Sequence, residues 1–531
     1  MKKKIVLFSS IVFMFCLYVN GQSDIGYRLQ FFPYNFYEWK EDVNSDYIVD
    51  TQDVLRIYES IQTADNIDKV SDVNQDNVVD TQDVLKVYEY IQTGSSPTLL
   101  APTDPAIDVI TTAIELLDYH AIVRWPLCDF SLIVPTDNGL LTYIDPVSLG
   151  RQNTQIWKFM MNPHPNRSNS FSRIQAVVYN AEKQFDGSWL PTDSLMTYVG
   201  SSSTDRVFDK LQDIIENCII AEHFVSGKQY YKTISGNYIR VNGDINNVSD
   251  MTISGGFQVD ENNPSRIVKV GKMMNGKAYV VDKAVYSSYK SVSDVLINYP
   301  EFSEFYGLLQ ACGALATSTG SRLFWSSTSK NGNLIYIPDN RAESVDYLLN
   351  TYNYTIYVPT NAAMDEAYDK GLPTMEMIDK AIEIDDTYGT DSAAHLRKVM
   401  LDFVKYHIQE NSIFIDKGFE IGKYASMKLN ENGVPYKIIL FPSPDNLEVQ
   451  DACSNRQTIY KNKMSNIMAR EYWLNNRNAE SATLIETSSS VVLHAIDHPL
   501  LYKYREGADL TLPENNQFIY DPKVLKLKSN Y

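Results

Sequence analysis

Two stretches near the N-terminus repeat with a period of 30 residues. The first runs Asp42-Val43-Asn44-Ser45-Asp46-Tyr47-Ile48-Val49-Asp50-Thr51-Gln52-Asp53-Val54-Leu55. The second runs Asp72-Val73-Asn74-Gln75-Asp76-Asn77-Val78-Val79-Asp80-Thr81-Gln82-Asp83-Val84-Leu85. The likeness continues through Tyr58-Glu59 and Tyr88-Glu89 to Ile61-Gln62 and Ile91-Gln92. A fixed period is a strong constraint on a fold, because each copy must be one structural unit that leans on its neighbour. Oxygen side chains fall at loop positions 1, 3, 5, 9 and 12: Asp42, Asn44, Asp46, Asp50 and Asp53, then Asp72, Asn74, Asp76, Asp80 and Asp83. Calcium is a hard cation that takes about six to eight oxygens in one flexible shell. A twelve-residue loop aims alternate side chains at one centre, and the carbonyls of Ile48 and Val78 at position 7 add to them. Four carboxylates in each loop repel one another unless a cation lies between them. The spacing therefore predicts two calcium sites.

Each loop opens a helix. Val54, Leu55, Tyr58 and Ile61 stand at helical spacing, as do Val84, Leu85, Tyr88 and Ile91. Each set predicts one apolar face, and the two faces are expected to pack on each other. With these ligands and spacings, residues 40–94 resemble the dockerin module. The aspartate at position 12 follows the dockerin pattern. At position 6, Asn77 suits a left-handed turn, whereas Tyr47 does not, which makes the first site the more strained. The resemblance implies a cohesin-like or other cell-surface protein as partner. It also implies that positions 10 and 11, Thr51-Gln52 and Thr81-Gln82, make the contact.

The start of the chain reads as an export signal over residues 1–21. Lys2, Lys3 and Lys4 precede an apolar run from Ile5 to Val19, too short for a membrane span. Phe13-Met14-Phe15 ahead of Cys16 are too bulky for a lipoprotein signal, so simple cleavage before Gln22 is expected. The destination is the periplasm, the outer cell surface or the medium, with no membrane span after cleavage. A net charge of -19 argues against nucleic acid and anionic membranes as partners, since both demand Lys/Arg surfaces. Cys128, Cys218, Cys312 and Cys453 show no metal-ligand spacing. Two arrangements remain open for them: the pairs Cys128–Cys218 and Cys312–Cys453, or buried thiols.

After a Gly/Ser/Pro break at Thr93-Gly94-Ser95-Ser96-Pro97, the chain turns β-branched and aromatic, with 36 tyrosines in all. Two long segments share one internal order. Phe130-Ser131-Leu132-Ile133-Val134-Pro135-Thr136-Asp137 is followed by Leu211 to Ile220 and ends with Asn275 to Asp282. Tyr354-Thr355-Ile356-Tyr357-Val358-Pro359-Thr360-Asn361 is followed by Leu401 to Ile408 and ends with Val491-Val492-Leu493-His494-Ala495-Ile496-Asp497. Each order predicts a buried strand stopped by proline, an amphipathic helix running into a strand, and a short closing strand. The opening and closing boxes and the Tyr406-His407 dipeptide resemble the fasciclin (FAS1) domain, present twice. In the first copy, Asn217-Cys218 stands where Tyr-His is usual. The resemblance implies adhesion or extracellular ligand binding, with Tyr406 and His407 as candidate partner contacts. As a half-buried, hydrogen-bonded side chain, His407 would instead serve the structure.

The expected architecture is multidomain: a small all-α calcium-loop/helix pair, dockerin-like, followed by two α+β FAS1-like β-wedge domains. The boundaries are 1–21 (signal), 22–95, 98–289, 290–505 and a tail, 506–531. No nucleophile elbow, zincin or P-loop motif occurs, so catalysis is not expected. His494 and His498 are four apart but lie in strand and turn beside Pro499, which argues against a metal pair. An alternative function is glycan capture in a polysaccharide-uptake system, through tyrosines and Trp189, Trp325 or Trp473.

Overall fold

The computed structural model describes residues 41, 43, 49–63, 71–74, 78–93, 106–119, 122, 129–145, 148, 154–184, 189–200, 206–273, 276–311, 325–330, 333–338, 353–388, 392–430, 432–474 and 485–502. The export-signal region, Cys128, Cys312 and the tail lie outside the described residues. The chain divides into two compact units. One is built around the N-terminal repeat, and the other holds nearly everything from Pro105 onward.

The smaller unit contains helices α1 (Thr51–Thr63) and α2 (Thr81–Thr93). Their shared core is duplicated at the period of the sequence. Val43, Val54 and Ile57 are matched by Val73, Val84 and Val87, all buried, with Val49, Ile61 and Val79 packed against them. The expected apolar faces need correction. Leu55 and Leu85 are 54% and 58% exposed, and Tyr58, Tyr88 and Ile91 also face solvent. The buried stripe starts at 54, 57 and 61, one step of three and one of four, and lies about 100° round the helix from Leu55 and Tyr58. Ile57 and Val87, together with the loop valines, complete that stripe.

The larger unit opens with α3 (Asp108–Leu116), β1 (Phe130–Pro135), β2 (Tyr143–Ile144), β3 (Thr154–Met161), β4 (Ile174–Lys183) and β5 (Trp189–Val199). Next come α4 (Arg206–Glu216), β6 (Ile219–Ile220), β7 (Tyr230–Lys232), β8 (Tyr238–Asn242), β9 (Thr252–Ser254), α5 (Gly256–Asp260), β10 (Ser265–Met273) and β11 (Gly276–Val281). Helices α6 (Val292–Asn298) and α7 (Ser303–Ala311) and the hairpin β12 (Trp325–Lys330) and β13 (Asn333–Pro338) come after them. The chain then forms β14 (Tyr354–Pro359), α8 (Asn361–Asp369), α9 (Met375–Tyr388), α10 (Ser392–Tyr406) and β15 (Ile408–Glu410). It ends with β16 (Gly422–Leu429), β17 (Pro435–Pro442), β18 (Asn446–Gln450), β19 (Arg456–Tyr460), β20 (Ile467–Leu474) and β21 (Ile485–Ile496).

Two large sheets carry the same centre. One has the order β6-β1-β11-β10-β9-β8-β7, the other β19-β18-β17-β16-β15-β14-β21-β20. In each, the opening strand pairs parallel with the closing strand, Phe130 to Gly276 in one and Tyr354 to Val491 in the other. It pairs antiparallel with the short strand after the amphipathic helix. Individual hydrogen bonds repeat too. Ile133 N–H donates to Cys218 O at 2.8 Å, as Tyr357 N–H donates to His407 O at 2.9 Å. Ser131 Oγ donates to Glu222 O at 2.9 Å, as Thr355 Oγ1 donates to Asn411 O at 2.7 Å. The copies differ in what is attached. A four-stranded sheet, β2-β3-β4-β5, stands between β1 and α4, where the second copy has helices α8 and α9 ahead of α10.

The threonine after each opening strand caps the turn or helix that it enters, as its position predicts. Thr360 Oγ1 accepts from Ala363 N–H at the start of α8. Thr136 Oγ1 accepts from Gly139 N–H at 3.1 Å and opens a single 3-10 turn. The closing strand β21 is 12 residues long and not short. No helix among the described residues is long and apolar enough to cross a membrane.

Candidate metal centre and the Tyr-His element

Each helix of the smaller unit starts on a pair of carboxylates. Asp50 Oδ1 accepts from Gln52 N–H at 2.7 Å, and Asp53 Oδ2 accepts from Asp50 N–H at 2.9 Å. Asp80, Gln82 and Asp83 repeat the arrangement at 2.7 and 2.9 Å. The two carboxylates cap the helix entrance together: the first satisfies the N–H two residues on, and the second reaches back to the N–H of the first. This explains why aspartate at position 12 can start a helix as well as end a loop. Asp53 and Asp83 are fully buried. Asp83 Oδ1 also accepts from Asn74 N–H at 3.0 Å, which closes the second loop from position 3 to position 12.

Of the expected ligands, Asp50, Asp53, Asp72, Asn74, Val78, Asp80 and Asp83 are described; Asp42, Asn44, Asp46, Ile48 and Asp76 lie outside the described residues, as do Tyr47 and Asn77. Among the described residues, no three His, Cys, Asp or Glu side chains form a metal-holding group. The carboxylate of Asp80 is turned to the first turn of α2, and Asp83 is held between two backbone donors. The described ligand candidates of the second loop offer only oxygens, and its buried carboxylate Asp83 holds the backbone N–H groups of positions 3 and 9. That chemistry fits a hard cation such as calcium and not zinc. The residues at positions 10 and 11, Thr51, Gln52, Thr81 and Gln82, are exposed, flanked by exposed Leu55, Tyr58, Leu85 and Tyr88.

Residues 40–98 match the dockerin type I domain. The matched stretch covers the whole 30-residue duplication, including both helices. No curated protein matches the chain. Among solved structures it is similar to a FAS1 domain pair from the insect cell adhesion molecule fasciclin I. The identity is 11%, over 74% of this chain and 97% of that one, with a TM-score of 0.23.

Tyr406 and His407 are buried at the end of α10. The ring of His407 is fully engaged: Nδ1 donates to Phe403 O at 2.9 Å, and Nε2 accepts from Leu500 N–H at 3.0 Å. Tyr406 Oη accepts from Ala452 N–H at 2.7 Å. Beside them, buried Asp451 accepts from Cys453 and Asn455 N–H and from Leu501 N–H. The dipeptide therefore ties the closing segment Leu500–Leu501 to the helix end. In the first copy the backbone bond from Cys218 survives without an imidazole. Cys218 is a free, fully buried thiol whose pKa burial pushes up to about 12, while Cys128, its expected partner in a bridge, lies outside the described residues.

His494 and His498 are not brought together as a metal pair. His494 is buried in β21, Nε2 donating to Ile413 O at 2.9 Å and Nδ1 accepting from Asn466 N–H. His498 is exposed and meets Glu366 at 2.7 Å. Burial lowers the pKa of both His407 and His494 to about 4, despite the carbonyl bond each makes. Of the tryptophans considered for glycan stacking, Trp189 is half-buried at the start of β5; the side chains of Trp325 and Trp473 lie outside the described set.

Proposed function

We propose that this chain is an exported docking and adhesion protein. In this reading its dockerin region takes up two calcium ions, one per loop, and binds a cohesin-like partner. Two FAS1-like β-wedge domains, about 98–289 and 290–505, hold a surface ligand. The observation that carries the reading is the duplication itself: ligand pattern, cap and core all repeat at the same period. Dockerin type I domains bind calcium, and dockerin domains bind cohesins. Calcium stabilises such a module by binding the folded state only. The FAS1-like assignment rests on the sequence boxes and on the repeated strand pairing around β1 and β14. No catalytic role is assigned to any residue.

Because Thr51-Gln52 and Thr81-Gln82 are identical and both exposed, either face can meet the same partner surface. Replacing Thr51 and Gln52 by alanine is therefore expected to leave capture of a partner from the native organism almost unchanged. Replacing all four residues is expected to abolish it, as is a calcium chelator. Pull-downs with the full chain test this. Complete loss from the first pair alone would rule out the two-faced reading, and capture that ignores the chelator would rule out the calcium dependence.

A further inference from the structure

Glu471 in β20 and Ser489 in β21 are direct cross-strand partners, and Tyr354 in β14 lies opposite Val491, two residues along from Ser489. Helix α6 reaches the same place: Val292 N–H donates to Glu471 Oε1 at 2.9 Å, and Ser293 is the next residue. The charge of Glu471 acts on the Tyr354 hydroxyl, which burial and this charge together hold well above the usual range. All four polar side chains are buried, with Glu471, Ser489 and Ser293 fully shielded. Among the described residues, the hydroxyls of Tyr354, Ser489 and Ser293 find no hydrogen-bond partner.

Buried hydroxyls without partners are costly, and those of Tyr354 and Ser489 lie beside one carboxylate, with Ser293 on the helix that this carboxylate binds. The chain itself supplies a control. In the first copy the residue at the register position of Tyr354 is Phe130, which is buried and has no hydroxyl to satisfy. The opening strand can therefore be built without that oxygen.

We infer that Tyr354, Ser489 and Ser293 line an internal hydration site against Glu471, where bound water joins helix α6 to strands β14, β20 and β21. The site offers donors and acceptors from four elements, the two to four polar partners that a buried water needs. Water there turns three unmet hydroxyls into a bridge between α6 and the sheet.

The sign of one substitution decides the matter. Tyr354→Phe removes only the oxygen and copies the residue that the first copy uses. If the hydroxyl holds water, the full-length variant melts at a lower temperature than the parent. Water relaxation dispersion of deuterium then loses the amplitude of at least one long-lived internal water. A melting temperature at or above the parent's, or an unchanged dispersion amplitude, overturns the inference. Ser489→Ala gives a second reading: its melting shift shrinks in the Tyr354→Phe background if both hydroxyls hold the same water, and full additivity counts against it.

Discussion

Lowering the pH from 7 to 4 is expected to remove several kilocalories per mole of stability from the second β-rich copy, mainly through His407 and His494. Both rings are buried and neutral, and both have pKa values near 4 against an ordinary value of 6.5. Above pH 6.5 neither the folded nor the unfolded chain protonates them, and the stability is whole. As pH falls through 6.5, the unfolded chain takes up protons that the folded chain refuses. Stability declines until the pH reaches about 4, where the folded rings also protonate. A shift of this size corresponds to about 3 kcal/mol for each ring. Asp451 beside His407 has the opposite effect. Burial raises its pKa, so the folded state protonates first and regains some stability in acid. Urea unfolding between pH 4 and 8 should show the decline. His407→Gln and His494→Gln should each be less stable at pH 7 but show a shallower slope. A parent slope that neither variant changes would refute the assignment.

The second large effect concerns the contact between the two β-rich copies. Arg470 in β20 reaches Asp213 in α4 with two hydrogen bonds, at 2.7 and 3.3 Å, and Ser287 Oγ at 2.6 Å. Arg470 is almost wholly buried, and Asp213 nearly so. The copies also meet where Asp416 Oδ2 accepts from the N–H groups of Gln229 and Tyr230, both at 2.8 Å. Tyr230 stacks on Phe414 with centroids 4.0 Å apart. Arg470→Met leaves a carboxylate in a shielded place without its cation, which costs about 3–5 kcal/mol. Replacing both partners removes the stranded charge as well, so Arg470→Met with Asp213→Leu should recover much of the loss. A double variant as unstable as the sum of the two singles would show that the pair acts independently of each other's charge. The expected readout is the urea midpoint of the full chain.

These contacts also mark the limit of what can be read from the residues in order. The duplicated openings, Phe130 to Pro135 and Tyr354 to Pro359, announce buried strands because five apolar or small residues run into a proline. The helix-to-strand passages at Cys218 and His407 are legible for a similar reason: a 3.6 period gives way to a short β-branched run. The parallel pairing of opening and closing strands is not legible, since it joins residues more than a hundred positions apart. Nor is the four-stranded sheet of the first copy, which fills the place of helices in the second. On α1 the periodicity suits two stripes, and only packing selects Val54 and Ile57 over Leu55 and Tyr58. That Asp50 and Asp53, at loop positions 9 and 12, also cap the helix is visible only in the hydrogen bonds. The burial of Tyr406 is equally hidden from the sequence, because a tyrosine there reads as well on a surface as inside, whereas for His407 the structure favours the hydrogen-bonded structural reading.

The most direct test of the whole account is calorimetric titration of calcium into the full chain, beside Asp53→Ala and Asp83→Ala. The parent should take up two ions per chain and each variant one, with magnesium a poor substitute. A parent that gives no heat of uptake, or variants that bind as it does, would contradict the paired-loop account.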